Sequence, residues 1–324
     1  MEHRIPPILL ELQKNSQQLF GFKLYSWEPI SLGWLNLKWK LVTDRGKFLL
    51  KVYHTQRFSN IDVLSRALQQ QQRLHNTGFP CPELLTVKEE VLHRFHDEKF
   101  IIMRFCPGKI VKPKYMNKQQ MYELGTVTGK MHRILNDSSI SVESNPQFIP
   151  QSRNERLFHW NNVIEDAKNN DKAHLISNIE LQLRLTETID VDSFGKSTAG
   201  WTHRDLWVDN LLFYDNKVSA VLDFDRLNFD YPELDVARAI MSWAFYDGIL
   251  RTDFASAYLA GYRKENEYRN GMLVDSLRML WYLESVWWIN SQMDLHNDIQ
   301  VRFAEEMIWL AQNDEKLQKA VGGL

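Results

Sequence analysis

The stretch Trp201-Thr-His-Arg-Asp-Leu-Trp-Val-Asp-Asn-Leu-Leu-Phe213 decides the fold of this chain. It places Asp205 in a His-Arg-Asp-Leu run, and Asn210 follows five positions later. Thirteen residues beyond Asn210 comes Asp223, at the end of an apolar β-like run. An Asp- and Asn-rich turn between two strands would explain single residues of this set, since such residues favour turns. It would not explain the spacing to a second acidic strand end.

This spacing is that of a kinase catalytic loop and its metal-binding aspartate. A hydroxyl that attacks a γ-phosphate needs a carboxylate to orient it and accept its proton, and Asp205 supplies one. The triphosphate needs Mg²⁺, a hard cation that prefers oxygen ligands. Asn210 offers an amide oxygen and Asp223 a carboxylate. The stretch therefore predicts an enzyme that uses ATP and Mg²⁺, with Asp205 catalytic and Asn210 and Asp223 binding the metal.

The chain divides by pattern into two parts, and its 324 residues are typical of about two domains. Runs at 39–42 and 48–53 flank a turn with glycine and predict a hairpin. A helix is predicted from about 60 to 75, followed by strands around 84–87, 91–95 and 100–105. After Cys106-Pro-Gly108 the pattern is mainly helical. We expect an α+β protein with a small antiparallel-sheet lobe at 1–105 and a larger, mainly helical lobe at 106–324.

A lysine stands inside the apolar run Phe48-Leu-Leu-Lys-Val-Tyr53. A lone lysine in a strand is more often a surface residue whose amine reaches solvent. Lys51 nevertheless follows a hairpin and precedes the His-Arg-Asp run by about 150 residues, which is typical of the lysine that holds the α- and β-phosphates of ATP. The loop expected to cover the phosphates, 30–36, has Gly33 as its one glycine. Asn36 either contacts phosphate through its amide or serves as a turn residue.

Together these motifs resemble the aminoglycoside phosphotransferase and choline kinase superfamily, and the loop looks closest to the homoserine-kinase-like bacterial branch. The resemblance covers nearly the whole chain and implies a protein-kinase-like, bilobal fold with an N-terminal nucleotide-binding lobe and a C-terminal catalytic lobe. It also implies that the backbone of Arg104, Phe105 and Cys106 meets the adenine. His203 would shape the catalytic loop, and Asp235 would open the helix that follows the metal-binding segment at Asp223 and brace that segment.

The chain departs from the family pattern at Arg204, where small-molecule kinases usually carry a small residue. Arg204 is interpreted as the partner of Asp235 or of another local carboxylate, and a substrate anion is the alternative partner. Arginine at this position is typical of protein kinases, so a Ser/Thr protein kinase is a second hypothesis. No Ala-Pro-Glu segment follows the predicted metal-binding residue Asp223, and this absence weakens the protein-kinase hypothesis.

Two further departures concern Lys51 and its surroundings. The helix glutamate that should pair with this lysine is not evident, because 69–71 holds three glutamines. Lys51 is then held by a glutamine or by phosphate alone. Asp225 stands where glycine usually follows, and it is either a further metal ligand or a brace for Arg226. The weak glycine loop and the missing glutamate also motivate a third hypothesis, a catalytically silent nucleotide-binding scaffold.

The acceptor is expected to bind in the second lobe, whose late helices combine aromatic residues with carboxylates. Aromatic faces and carboxylates hold amines and quaternary ammonium groups, although aromatics at helical spacing are more often core residues. The candidate substrate residues are Glu284, Trp281 and Trp288, besides Arg204. We expect a small hydroxyl acceptor that carries an amine, such as a homoserine-like, choline-like or aminoglycoside molecule.

Composition argues against several other classes of protein. The formal net charge of −2 argues against nucleic-acid binding. No stretch approaches the roughly 18 apolar residues of a membrane span, and the start lacks a signal-peptide pattern, so we expect a cytoplasmic protein without a membrane partner. Cys81 and Cys106 are too few for a disulfide framework or a four-ligand metal site. His132 and the other scattered histidines lack metal-ligand spacing. The oligomeric state stays open.

Overall fold

The computed structural model describes residues 6–30, 36–53, 61–137 and 145–324, and only the backbone of 195–196. The α-helices of the described residues are α1 (Pro7–Phe20), α2 (Ile61–Asn76), α3 (Lys118–Leu135), α4 (Arg153–Asn169), α5 (Ile176–Thr188), α6 (Pro232–Ala244), α7 (Thr252–Tyr262), α8 (Met272–Trp288) and α9 (Asp298–Val321). The strands are β1 (Leu24–Pro29), β2 (Leu37–Thr43), β3 (Gly46–Tyr53), β4 (His93–Phe95), β5 (Glu98–Arg104), β6 (Gly200–Thr202), β7 (Leu211–Tyr214), β8 (Lys217–Val221), β9 (Asn228–Asp230), β10 (Phe245–Tyr246) and β11 (Ile249–Leu250). The predicted α+β class is confirmed.

The chain forms two compact units. Unit 1 comprises Met1–Lys109, Leu211–Tyr214 and Val218–Arg226, and unit 2 comprises Ile110–Asn210, Asp215–Lys217 and Leu227–Leu324. Strands β7 and β8 join unit 1 because backbone hydrogen bonds tie them to it: Phe213 pairs with Lys109, and the Val221 N–H donates to the carbonyl of Pro80. The predicted boundary at 105/106 would have placed this segment in the second lobe.

Unit 1 is built on a five-stranded sheet in the order β1-β2-β3-β5-β4. The hairpin predicted from 39–42 and 48–53 is β2–β3. Strand β1 was missed, because its exposed polar residues and Pro29 weaken the strand pattern. The run at 84–87, predicted as a strand, contributes a bridge from Leu84 to Met103.

Side chains of β3 alternate between the two faces of this sheet, as strand geometry requires. Phe48, Leu50 and Val52 pack in one apolar cluster with residues of α1. Tyr53 packs in a second cluster with residues of α2. Lys51, two positions before Tyr53, therefore lies on the α2 face.

Unit 2 depends on an unusually close approach of α3 and α7. A Cβ atom at Gly125 would overlap with the carbonyl oxygen of Tyr258, and one at Gly261 would overlap with the carbonyl oxygen of Tyr122. Absence of a side chain at both positions lets the two backbones pack directly, and this packing holds α3 in place. In the described part of the chain, no helix combines the length and the apolar character needed to cross a membrane.

Replacing Gly125 by Ala should destabilise the protein, although alanine is the better helix former by about 1 kcal/mol. Overpacking against the Tyr258 backbone costs about 1–3 kcal/mol and outweighs that gain. Urea unfolding should therefore show a lower free energy of unfolding for Gly125→Ala. Gly323→Ala is the matched control, since an added Cβ there meets nothing within 4 Å. Equal stability of Gly125→Ala and the wild type would contradict the close packing.

Candidate active site

In unit 1, Lys51 lies between two carboxylates. Its side chain is 2% exposed, and its Nζ is 2.6 Å from Asp223 Oδ1 and 2.5 Å from Asp225 Oδ2. Lys38, opposite Lys51 on β2, places its Nζ 3.6 Å from Asp223 Oδ2. Burial lowers the pKa of Lys51, but the two carboxylates raise it by more, so the amine keeps its charge.

This arrangement corrects the expectation that a glutamine or phosphate alone holds Lys51. The buried Gln71 side chain donates instead to the carbonyl of Pro82, and Gln70 accepts from Arg73. The two aspartates that follow β8 take the place of the helix glutamate. The pair Asp223-Phe-Asp225 was the available signal, because alternate residues after a strand end can converge on one cation.

Asp225 is the more deeply buried of the two carboxylates, with a side chain that is 8% exposed. It accepts hydrogen bonds from Tyr53 Oη at 2.9 Å and from Asn36 Nδ2 at 3.2 Å. Burial raises the pKa of Asp225 to about 6, and Lys51 opposes that rise. Asp225 thus anchors Lys51, Tyr53 and Asn36, whereas the side chain of Asp223 is 26% exposed. Gly33 lies outside the described residues.

The hinge is the segment Arg104–Cys106, whose backbone is predicted to meet the adenine. Two of its backbone N–H groups already donate hydrogen bonds within unit 1. The N–H of Arg104 donates to the carbonyl of Glu83 at 2.9 Å, and that of Phe105 donates to the carbonyl of Lys47 at 3.1 Å. Adenine recognition at the predicted residues would therefore use their carbonyls or the N–H of Cys106.

In unit 2, Asp205 and Asn210 are brought together by the catalytic loop. Asn210 Nδ2 lies 2.9 Å from both the carboxylate Oδ2 and the carbonyl oxygen of Asp205. The N–H of Asp205 donates to His203 Nδ1 at 3.2 Å. With the amide nitrogen of Asn210 directed at Asp205, the amide oxygen is the atom that this side chain offers to a cation. The donor set is hard and oxygen-based on each unit, which fits Mg²⁺.

Asp235 holds the backbone of this loop. Its carboxylate is buried and accepts from the N–H of His203 at 2.6 Å and from the N–H of Arg204 at 2.8 Å. His132 Nε2 lies 3.0 Å from the same carboxylate. Burial raises the pKa of Asp235, but the hydrogen bond and charge of His132 oppose it, and the pKa falls to about 2. Asp235 therefore braces the catalytic loop through its backbone, whereas the resemblance had implied a brace at the metal-binding segment.

Arg204 adopts a φ of +66°, in the left-handed region that is uncommon for a residue with a side chain. Its Nε lies 3.0 Å from Asp230 Oδ2, which is fully buried. The local carboxylate that pairs with the guanidinium is thus Asp230, while Asp235 takes the backbone N–H. Nothing in this geometry supports a substrate contact by Arg204.

Of the residues predicted to bind the acceptor, Trp281 is a core residue, whereas Glu284 and Trp288 are bonded to each other. Trp281 is 1% exposed and donates through its indole to Gln182, which makes it a core residue. Glu284 accepts from Arg238 at 2.7 Å and from the Trp288 indole at 3.2 Å. Arg238 also pairs with Glu306, which pairs in turn with Arg302, so the two arginines balance the charges of the two glutamates.

Phe303 is a residue that the sequence analysis missed. Its ring stacks on Trp288 at 4.8 Å between centroids and lies 5.5 Å from the ring of Trp207. Trp207 follows Asp205 by two residues, so this aromatic row connects Trp288 with the catalytic loop. A helical phenylalanine has no distinguishing sequence signal. Among the described residues, no group of three His, Cys, Asp or Glu side chains forms a metal cluster.

Comparison with known proteins gives a consistent picture. The profile of the phosphotransferase enzyme family matches residues 26–270. A homoserine kinase of Rhodospirillum rubrum is 26% identical over 228 residues, which are 69% of this chain and 66% of that protein.

Solved structures of kinases share the fold. Amicoumacin kinase in complex with AMP-PNP and Ca²⁺ has a TM-score of 0.61 at 19% identity, with 92% of each chain covered. Choline kinase from Cryptosporidium parvum has a TM-score of 0.58 at 14% identity, covering 96% of this chain and 95% of that one. The protein-kinase-like fold predicted from the loop is confirmed.

The contribution of Asp235 to the free energy of unfolding should depend on pH. A carboxyl whose pKa is lowered on folding stabilises the protein above the unfolded value, near 3.9, and loses this contribution as the pH falls toward its folded value of about 2. Urea unfolding should show the stability gap between wild type and Asp235→Asn narrowing by about 1 kcal/mol from pH 6 to pH 3. A carboxyl-carbon NMR titration gives the same pKa directly. A gap that stays constant would contradict the assignment.

Proposed function

The chain belongs to the phosphotransferase enzyme family, and we propose that it transfers the γ-phosphate of Mg²⁺-bound ATP to the hydroxyl of an amine-bearing metabolite. It is a kinase of a small-molecule hydroxyl, in line with the homoserine kinase and choline kinase that it resembles. The family predicted from the catalytic loop is confirmed. The relatives being small-molecule kinases, the protein-kinase and silent-scaffold hypotheses are set aside.

The observation that carries the proposal is the fixed carboxylate of Asp205. Asn210 donates to it, and the loop that bears it is held through the N–H groups on its N-terminal side. In phosphoryl transfer the transition state is loose, so rate comes mainly from positioning and charge neutralisation. Asp205 then orients the acceptor hydroxyl and takes its proton as the hydroxyl oxygen bonds to the γ-phosphorus, while the bond from that phosphorus to the β–γ bridging oxygen breaks and ADP leaves.

Nucleotide binding is assigned to residues of unit 1. Lys51 keeps its positive charge and is proposed to hold the α- and β-phosphates, with Asn36 and the hinge carbonyls of Arg104 to Cys106 as further contacts. Asp223 would be one Mg²⁺ ligand, and in unit 2 the amide oxygen of Asn210 would be another. When bound, Mg²⁺ neutralises charge on the β- and γ-phosphates. AMP-PNP and Ca²⁺ in a structural neighbour support a nucleotide with a divalent cation.

For the acceptor we propose a homoserine-like amino alcohol. The named activity of the Rhodospirillum rubrum relative supports this class. In the aromatic row, Phe303 stacks on Trp288 and has the Arg238 guanidinium 4.9 Å from its ring centroid, so Trp207 and Trp288 are the members proposed to offer a face to an ammonium group. Glu284 lies beside that row, but Arg238 balances its charge, so its part would be to hold the Trp288 indole.

Asp205→Asn should lower kcat by about 100-fold or more, because loss of a positioned base typically costs that much. The Kd for Mg²⁺-ATP should change by less than about threefold, since phosphate binding does not use this carboxylate. Coupled detection of ADP gives kcat, and calorimetry gives Kd. Asp215→Asn, in an exposed turn, is the control. A variant Asp205→Asn as active as the wild type would remove the assignment of the base.

Asp223→Asn should impair both turnover and nucleotide affinity. It removes a proposed Mg²⁺ ligand and one of the two carboxylates that hold Lys51. Titration of Mg²⁺ at fixed ATP should therefore shift to higher concentrations in this variant, and kcat should fall by at least tenfold. An unchanged Mg²⁺ dependence would argue against Asp223 as a ligand.

The acceptor is tested by ADP release with homoserine, choline, ethanolamine, sugars and aminoglycosides, each run beside Asp205→Ala. Homoserine-dependent release that is lost in Asp205→Ala is the expected result. Release with a different member of the panel would retain the kinase and replace the proposed acceptor. No release with any acceptor would count against the small-molecule assignment as a whole.

A further inference from the structure

A histidine outside the assigned catalytic residues is built into the support of the catalytic loop. His132, on α3, is fully buried. Its Nε2 lies 3.0 Å from Asp235 Oδ2, and its Nδ1 lies 2.8 Å from Tyr262 Oη on α7. The rings of His132 and Tyr262 meet edge to face at 5.7 Å between centroids. A buried histidine with two polar partners is fixed in both position and orientation.

The partners also fix which ring nitrogen faces the carboxylate of Asp235. Asp235 is ionised, because its pKa is about 2, so its carboxylate only accepts hydrogen bonds. Nε2 of His132 therefore donates a hydrogen bond to this carboxylate. Burial raises the pKa of Tyr262, which keeps its hydroxyl proton, and its Oη contacts the other ring nitrogen, Nδ1. Asn266 Nδ2 donates in turn to Tyr262 Oη at 3.4 Å.

Asp235 passes this orientation to the residues before Asp205. Oδ2, which faces His132, also accepts from the N–H of His203, and Oδ1 accepts from the N–H of Arg204. Arg204 is held at a positive φ, a conformation that persists only where surrounding contacts impose it. A rotation of the Asp235 carboxylate would lose at least one of these bonds. The following residue is Asp205, so its backbone position depends on the same contact.

We propose that His132 is a positioning residue, which acts through Asp235 to hold the catalytic loop in the conformation that presents Asp205. This inference rests on the proposed function for the role of Asp205. It differs from a packing role, because the donor at Nε2, and not the volume of the ring, is what the loop requires.

Three variants separate the donor from the packing. His132→Leu keeps an apolar side chain but removes the donor, and His132→Gln restores an N–H donor at a position similar to Nε2. Met131→Ala is the matched control: it truncates the adjacent buried residue of α3 and leaves the hydrogen bonds intact. We expect kcat to fall at least tenfold in His132→Leu with KM for ATP within threefold, and to recover to within fivefold of wild type in His132→Gln. Met131→Ala should lose thermal stability but keep kcat at temperatures where it is folded.

Backbone amide hydrogen exchange gives a readout that needs no acceptor. In His132→Leu the amides of His203 and Arg204 should exchange at least tenfold faster than in the wild type. In Met131→Ala the exchange rates of these two amides should change by no more than those of the other amides of the folded protein. Unchanged exchange at both amides in folded His132→Leu would overturn the inference, as would a His132→Gln variant as impaired as His132→Leu. If wild-type protein shows protected amides but no turnover with any acceptor, the proposed function fails and the holding of the loop by His132 stands by itself.

Discussion

The buried carboxylate of Asp235 is the constraint on which the catalytic loop depends. A buried charge is tolerated only where hydrogen bonds replace the water that it has lost. Here those donors are two successive backbone N–H groups of the loop and the ring of His132. The need to satisfy the carboxylate and the need to hold Arg204 in an uncommon conformation are therefore met by the same contacts. Asp205 directly follows Arg204, so its position depends on a backbone conformation that the hydrogen bonds to Asp235 stabilise.

Unit 1 solves a related problem with the opposite charge. Lys51 is buried on the α2 face of the sheet, and its ammonium group is balanced by Asp223 and Asp225. Of the two, Asp225 is committed to neighbouring side chains, including the hydroxyl of Tyr53. Asp223 is the more exposed carboxylate and the one that the sequence spacing had assigned to the metal. Both aspartates pair with Lys51, and Asp223 is the one proposed to bind the metal. A sequence with three glutamines in place of the helix glutamate does not reveal this pairing.

Burial and ion pairing changed the interpretation of the residues that were predicted to bind the acceptor. Trp281 is core, and Glu284 is neutralised by Arg238. The aromatic row of Trp207, Phe303 and Trp288, and not the charge of Glu284, is the feature that reaches the catalytic loop. The role of a charged residue in a helix can be assigned only when its ion-pair partner is known. Here those partners lie on other helices.

The sequence by itself determined the family and the α+β class, and it predicted Asp205, Asn210 and Asp223 as the residues of phosphotransfer, because that chemistry requires their local spacing. It also indicated Lys51, since a charged residue in an apolar strand needs a reason. Only the tertiary structure decided what pairs with Lys51, why Trp281 is core, and that His132 supports the loop. These contacts join residues 99 to 174 positions apart, and no local pattern encodes which distant side chain will satisfy a buried donor or charge.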